Sequence, residues 1–120
     1  MALRALIVDD NGHFLAAARN LLQGEGVEVV AVASTCAEAV RLAEELGPDV
    51  ALVDIDLGEE SGFDVARALT DGRPGNRGAV VLTSTHAEKD FADLIATSPA
   101  LGFVPKADLS ARTLHEMLNR

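Results

Sequence analysis

Five polar positions stand at the ends of apolar runs. Asp9 and Asp10 follow Ala5-Leu6-Ile7-Val8, Asp54 follows Val50 to Val53, Thr83 follows Ala79 to Leu82, and Lys106 follows Leu101 to Pro105. Gathered on one rim, three carboxylates would repel one another by about 4 kcal/mol per pair at ~4 Å and an effective dielectric near 20. Such a cluster calls for a cation. Hard oxygen ligands select Mg²⁺, Mn²⁺ or Ca²⁺ over zinc, and a site with few protein carboxylates leaves positions for water and a phosphoryl oxygen, as Mg²⁺ prefers. A divalent ion, an ammonium group, a hydroxyl and one spare carboxylate make up a set for phosphoryl transfer, which needs positioning and neutralisation of oxygens. Asp54 is the natural nucleophile.

The elements that must bring these groups together follow from hydropathy. The three uninterrupted runs ending at Val8, Val53 and Leu82 read as strands buried on both faces. Val27 to Ala33, broken by Glu28, and Leu101 to Pro105, with Gly102 and a proline that cannot donate to a ladder, belong at sheet edges. Helical spacing joins Phe14, Ala18, Leu21 and Leu22, and again Phe91, Leu94 and Ile95. Thr35 with Glu38 forms a candidate capping box, Ser110 caps the last helix, and Gly24 and Gly26 end the first. Gly72 to Gly78, with Pro74, reads as a loop inside the domain. Helix alternates with strand throughout, so the expectation is an α/β fold: a doubly wound parallel five-stranded sheet of five βα units, flavodoxin-like, in the order 2-1-3-4-5. That order puts the topological switch point between strands one and three, where ligands bind at the carboxyl ends.

Composition bounds the function. A chain of 120 residues is expected to be one domain, residues 1–120. Ten Lys and Arg against 19 Asp and Glu leave a net charge of −9, which disfavours nucleic acid and anionic membranes as direct partners. Cys36 stands alone, so no internal disulfide or multi-cysteine zinc site is expected, and the opening apolar run is too short for a signal peptide or spanning helix. A cytoplasmic location is expected. His13, His86 and His115 are dispersed without zinc spacing. Asp54-Ile55-Asp56-Leu57-Gly58 begins like a calcium loop, but Glu59 replaces the required glycine and Val65 occupies the bidentate position.

Taken in order, Ile7-Val8-Asp9-Asp10, Leu52-Val53-Asp54, Val81-Leu82-Thr83-Ser84 and Gly102-Phe103-Val104-Pro105-Lys106 resemble the receiver domain of two-component response regulators over essentially the whole chain. The resemblance implies that Asp54 accepts a phosphoryl group from a phosphohistidine on a sensor histidine kinase, or from a small donor such as acetyl phosphate. It implies Mg²⁺, with Mn²⁺ as a substitute, held by Asp10 directly, by Asp9 mostly through water, by one oxygen of Asp54 and by the backbone carbonyl of Asp56. Thr83 and Lys106 would each take a phosphoryl oxygen, and Phe103 would turn inward as Thr83 is drawn toward it. The output would be the face of the fourth helix, fifth strand and fifth helix, used for homodimerisation, an output domain or a downstream protein. Pro105 to Ser110 resembles receivers that precede a LuxR-type helix-turn-helix domain, so a stand-alone regulator and an N-terminal receiver of a longer chain both fit. Ala107 and Gly58 depart from the pattern, each standing where receivers often have proline. Asp56 and Thr85, two residues beyond Asp54 and Thr83, are expected to tune dephosphorylation.

Simpler roles compete at each position. Asp54 could cap a turn, Asp9 or Asp10 could cap the first helix, Thr83 could be an ordinary strand residue, Lys106 a solvated lysine, and Phe103 permanent core. Two other functions compete as well. A haloacid-dehalogenase-like phosphohydrolase would use Asp54, Asp56, Thr83 and Lys106, but its nucleophile lies on the first strand with the acidic pair downstream, the reverse of the order here. A pseudo-receiver binding module would not need the full set Asp9, Asp10, Asp54, Thr83 and Lys106. The expected protein is therefore a switch that catalyses only its own phosphorylation and dephosphorylation, not a free-standing enzyme. A nucleotide cofactor is not expected, because no Gly-rich phosphate loop follows the first strand.

Overall fold

The computed structural model describes residues 2–70 and 79–119. The loop read at 72–78 lies outside them. Strand and helix alternate as β1 (Arg4–Val8), α1 (Gly12–Gly24), β2 (Glu28–Ala33), α2 (Cys36–Leu46), β3 (Val50–Asp54), a two-residue pair β4 (Asp56–Leu57) and β5 (Glu60–Ser61), α3 (Gly62–Thr70), β6 (Ala79–Ser84), α4 (Ala92–Thr97), β7 (Gly102–Pro105) and α5 (Ala111–Leu118). Short 3₁₀ turns at Glu88–Phe91 and Lys106–Asp108 lead into the last two helices. Five strands form one parallel sheet in the order β2-β1-β3-β6-β7, which is 2-1-3-4-5 when the sheet strands alone are counted. The two compromised runs are the edges, as their Glu28 and Pro105 require.

Side-chain alternation assigns each face its helices. Leu6 and Val8 of β1, Ala51 and Val53 of β3, Val80 and Leu82 of β6 and Phe103 of β7 pack with Ala39, Phe63, Val65 and Leu69 from α2 and α3. Ala5 and Ile7, Val50 and Leu52, Val81 and Val104 point the other way, onto Ala18 and Leu22 of α1 and Leu114 and Met117 of α5. A strand buried on both faces reads as a continuous apolar run, and every residue of β3 is buried, its terminal Asp54 included. Each fully buried Leu or Val contributes about 1.5–3 kcal/mol, so Leu6, Leu52 and Leu82 anchor the frame that carries the rim residues. By contrast, α4 is six residues long and buries none of them completely.

Helix starts follow local side-chain chemistry, with two departures from expectation. The cap of α1 is Asn11, not Asp9 or Asp10: its Oδ1 accepts from the N–H groups of His13 and Phe14 at 3.0 and 3.2 Å. Asp9 instead accepts from the Asn11 N–H at 2.9 Å, which fixes the residue that caps. At α2, Thr35 caps the Glu38 N–H as read, but the Glu38 carboxylate reaches one residue further back, to the Ser34 N–H at 2.8 Å. Ser110 caps α5 in a full box with Thr113.

Candidate functional site

Strand register builds the rim. Val8 pairs with Val53, Asp54 with Thr83, and Ser84 with Pro105. Asp9 and Asp54 lie one step beyond the first pair and Lys106 one step beyond the last, so residues scattered through the sequence end at one level. Oxygens of Asp9, Asp10 and Asp54 lie within 4.8 Å of one another. Asp9 is fully buried and Asp54 is 5% exposed, whereas Asp10 faces solvent. An open depression of about 260 Å³ is lined by Asp10, Asp54, Asp56, Ser84, Thr85 and Lys106 among others, while Asp9 is not part of its lining.

Lys106 closes the cluster from the far edge. Its Nζ lies 2.8 Å from Asp9 Oδ2 and donates to Asp54 Oδ2 at 3.3 Å. The Asp9 contact is an ion pair, with no aligned hydrogen-bond donor on Oδ2 among the described residues. The other Asp54 oxygen accepts the Asp56 N–H at 3.2 Å. Burial, then the charge of Asp9, pushes the Asp54 carboxyl up to about 6, against the opposing pull of the Asp56 N–H and Lys106. Burial works to lower the Lys106 ammonium, but the close Asp9 carboxylate and the charge of Asp54 outweigh this and hold it above its ordinary value. One ammonium therefore does not neutralise the cluster, and Asp54 carries an unmet demand for positive charge. Hard carboxylate oxygens, close together and incompletely neutralised, suit a divalent cation.

Thr83 is 1% exposed and its Oγ1 has no hydrogen-bond partner among the described protein groups. A buried hydroxyl without a partner is costly, which favours an incoming acceptor. Asp56 and Thr85 are exposed and line the depression. Phe103 is 6% exposed and packs in the core with Phe63, away from the depression lining.

Sequence reading missed two residues on which the site depends, and saw a third only as a departure. Gly62 begins α3 with its N–H bonded to Ile55 O at 2.8 Å. A Cβ there would sit 2.1 Å from the Asp54 carbonyl oxygen, so only glycine lets α3 press against the acceptor backbone. Gly58 opens the turn between β4 and β5 with φ +69°, a conformation closed to proline, and a Cβ there would meet Asp10 Oδ2 at 3.2 Å. This explains the missing proline. Phe14 was legible as an apolar helix position, yet its ring centroid lies 4.2 Å from Lys106 Nζ. Glu60 accepts from the Cys36 N–H at 2.9 Å and ties the hairpin to the start of α2.

The chain is similar to known proteins along this whole arrangement. The response regulator receiver domain family matches residues 5–119, and the chain belongs to that family. It is 29% identical over 106 residues to the DNA-binding transcriptional activator EvgA of Escherichia coli K12, covering 88% of this chain and 51% of the relative. A protein-glutamate methylesterase/protein-glutamine glutaminase of Myxococcus xanthus is 32% identical over 117 residues, covering 96% of this chain and 33% of the relative. The signal receiver domain of the response regulator NarL from Mycobacterium tuberculosis superposes with TM-score 0.85 at 27% identity, covering 99% of this chain and 98% of that one. The chain thus spans about half the length of the first of these curated relatives and about a third of the second. Among the described residues no helix is long and apolar enough to cross a membrane.

Proposed function

We propose that the domain works as a phosphorelay receiver in the cytoplasm, with Asp54 as the phosphoacceptor. The observation that carries this is the meeting of the Asp9, Asp10 and Asp54 carboxylates within 4.8 Å beside an ammonium that touches two of them. An Asp54 oxygen attacks phosphorus, the bond from phosphorus to the histidine nitrogen or acetate oxygen breaks, and the leaving group departs with that electron pair. The product is an aspartyl phosphate. With its pKa near 6, the acceptor is mostly ionised at neutral pH and ready to attack.

Asp9, Asp10, Asp54 and the Asp56 carbonyl would hold Mg²⁺, or Mn²⁺ in its place, and a divalent ion there supplies positive charge to the oxygens of the transferring group. Lys106 would pair with one phosphoryl oxygen once Asp54 Oδ2 is engaged, and Thr83 would donate its unused hydroxyl to another. These contacts exist only in the phosphorylated state, so they shift the population toward whatever arrangement makes them. Phe103 is the aromatic assigned to that shift. The face of α4, β7 and α5 then serves a second copy, an output domain or a downstream protein, and the DNA-binding relative supports an output that acts on DNA. The domain turns over no external product, and the reaction partner is a sensor histidine kinase.

Incubation with acetyl phosphate and Mg²⁺ followed by intact mass tests the reading. One added phosphoryl group, absent in Asp54→Asn and without metal, is expected. No addition, with no response to beryllofluoride either, would leave only a binding module.

A further inference from the structure

Lys106 is held from three sides. Its ammonium lies 2.8 Å from Asp9 Oδ2, 3.3 Å from Asp54 Oδ2 and 4.2 Å from the centre of the Phe14 ring. The ring is fixed from below: Phe14 is in the first turn of α1, its N–H bonded to the Asn11 cap, and its side chain packs partly against the core face shared by α1 and α5. The Lys106 side chain is only 12% exposed, and a cation over an aromatic face is attracted more strongly where water is excluded.

The three partners differ in what happens to them when the site works. Both carboxylates belong to the acidic cluster, and engaging them with a divalent ion or a phosphoryl group draws their charge away from the ammonium. Neither event alters the electron-rich face of a phenyl ring. An aliphatic side chain at this position would fill the same space without offering that face. We propose that Phe14 is a positioning residue for Lys106, holding the ammonium at the acceptor while Asp9 and Asp54 are otherwise engaged, so that it is in place for a phosphoryl oxygen. This rests on the receiver reading above.

Phe14→Leu keeps apolar bulk and removes the ring, whereas Phe14→Tyr restores it. Nuclear magnetic resonance of the Lys106 ε-methylene reads the contact directly: an upfield ring-current shift is expected in the unsubstituted protein and Phe14→Tyr, and its loss in Phe14→Leu. The rate of phosphorylation by acetyl phosphate with Mg²⁺ is expected to fall about threefold to tenfold in Phe14→Leu and to recover in Phe14→Tyr. A merely structural role would lower urea midpoints without following the ring. Equal rates in Phe14→Leu and the unsubstituted protein overturn the inference while leaving the receiver reading intact, as does a loss that Phe14→Tyr fails to repair. If the unsubstituted protein takes up no phosphoryl group, the receiver reading itself falls and the inference falls with it.

Discussion

Replacing Asp54 by asparagine is expected to stabilise the metal-free protein at neutral pH, although it abolishes phosphorylation. The amide keeps the shape of the carboxyl group and removes its charge. Asp54 has its pKa raised from 3.8 to about 6 by burial and by Asp9, so the folded state binds this proton more tightly than the unfolded chain does. The stability it contributes is fully present below 3.8 and is lost as pH rises through about 6. At about 1.4 kcal/mol per pH unit, the ionised form costs the folded state about 3 kcal/mol at pH 7.5, and about half of that at pH 5. The pulls of Lys106 and of the Asp56 N–H are already contained in the raised value.

Urea unfolding followed by far-ultraviolet circular dichroism is the suitable assay, because the chain has no Trp and no Tyr. With a slope of about 1–3 kcal/mol per molar, the midpoint of Asp54→Asn should exceed that of the unsubstituted protein by about 1–3 M at pH 7.5, and by less at pH 5. Saturating Mg²⁺ should narrow the gap, since binding to the folded state of the unsubstituted protein stabilises it. A variant no more stable at pH 7.5, or one whose gain is equal at both pH values, would show that the Asp54 charge is already compensated and that the electrostatic case for a cation is wrong.

Three further outcomes follow from the same geometry. Lys106→Met leaves the fully buried Asp9 and the nearly buried Asp54 without their cation and should lower stability by about 3 kcal/mol in the same urea assay; an unchanged midpoint would mean the ion pairs contribute nothing. Gly58→Ala forces a Cβ into a left-handed backbone 3.2 Å from Asp10 Oδ2, so it should cost about 1 kcal/mol and weaken Mg²⁺ binding severalfold by calorimetric titration, whereas wild-type affinity would free Asp10 from any dependence on this turn. Asp56→Asn and Thr85→Ala change the depression beside the acceptor and should alter the decay of the aspartyl phosphate, measured by intact mass over time; identical decay would refute a tuning role.

How much of this was legible in the chain differs by residue. Strand identities, their order and the convergence of Asp9, Asp10, Asp54 and Lys106 were readable because apolar runs report burial on two faces, and a parallel sheet brings strand ends to one rim. Local chemistry also marked Ser110 and Thr35 as caps. It offered Asp9 or Asp10 as an alternative cap for the first helix and passed over Asn11: only the folded backbone shows that Asp9 turns back to hold the Asn11 N–H and leaves Asn11 to cap.

Hydropathy and residue type determined by themselves the layered α/β architecture and the acidic rim, since both depend on patterns a few residues long. Tertiary structure alone decided that Gly62 must lack a side chain, that Gly58 turns with positive φ against Asp10, and that Phe14 lies over Lys106. Those facts depend on how segments distant in sequence approach within a few ångströms, and such distances arise from the packing of helices on the sheet, which no local pattern encodes.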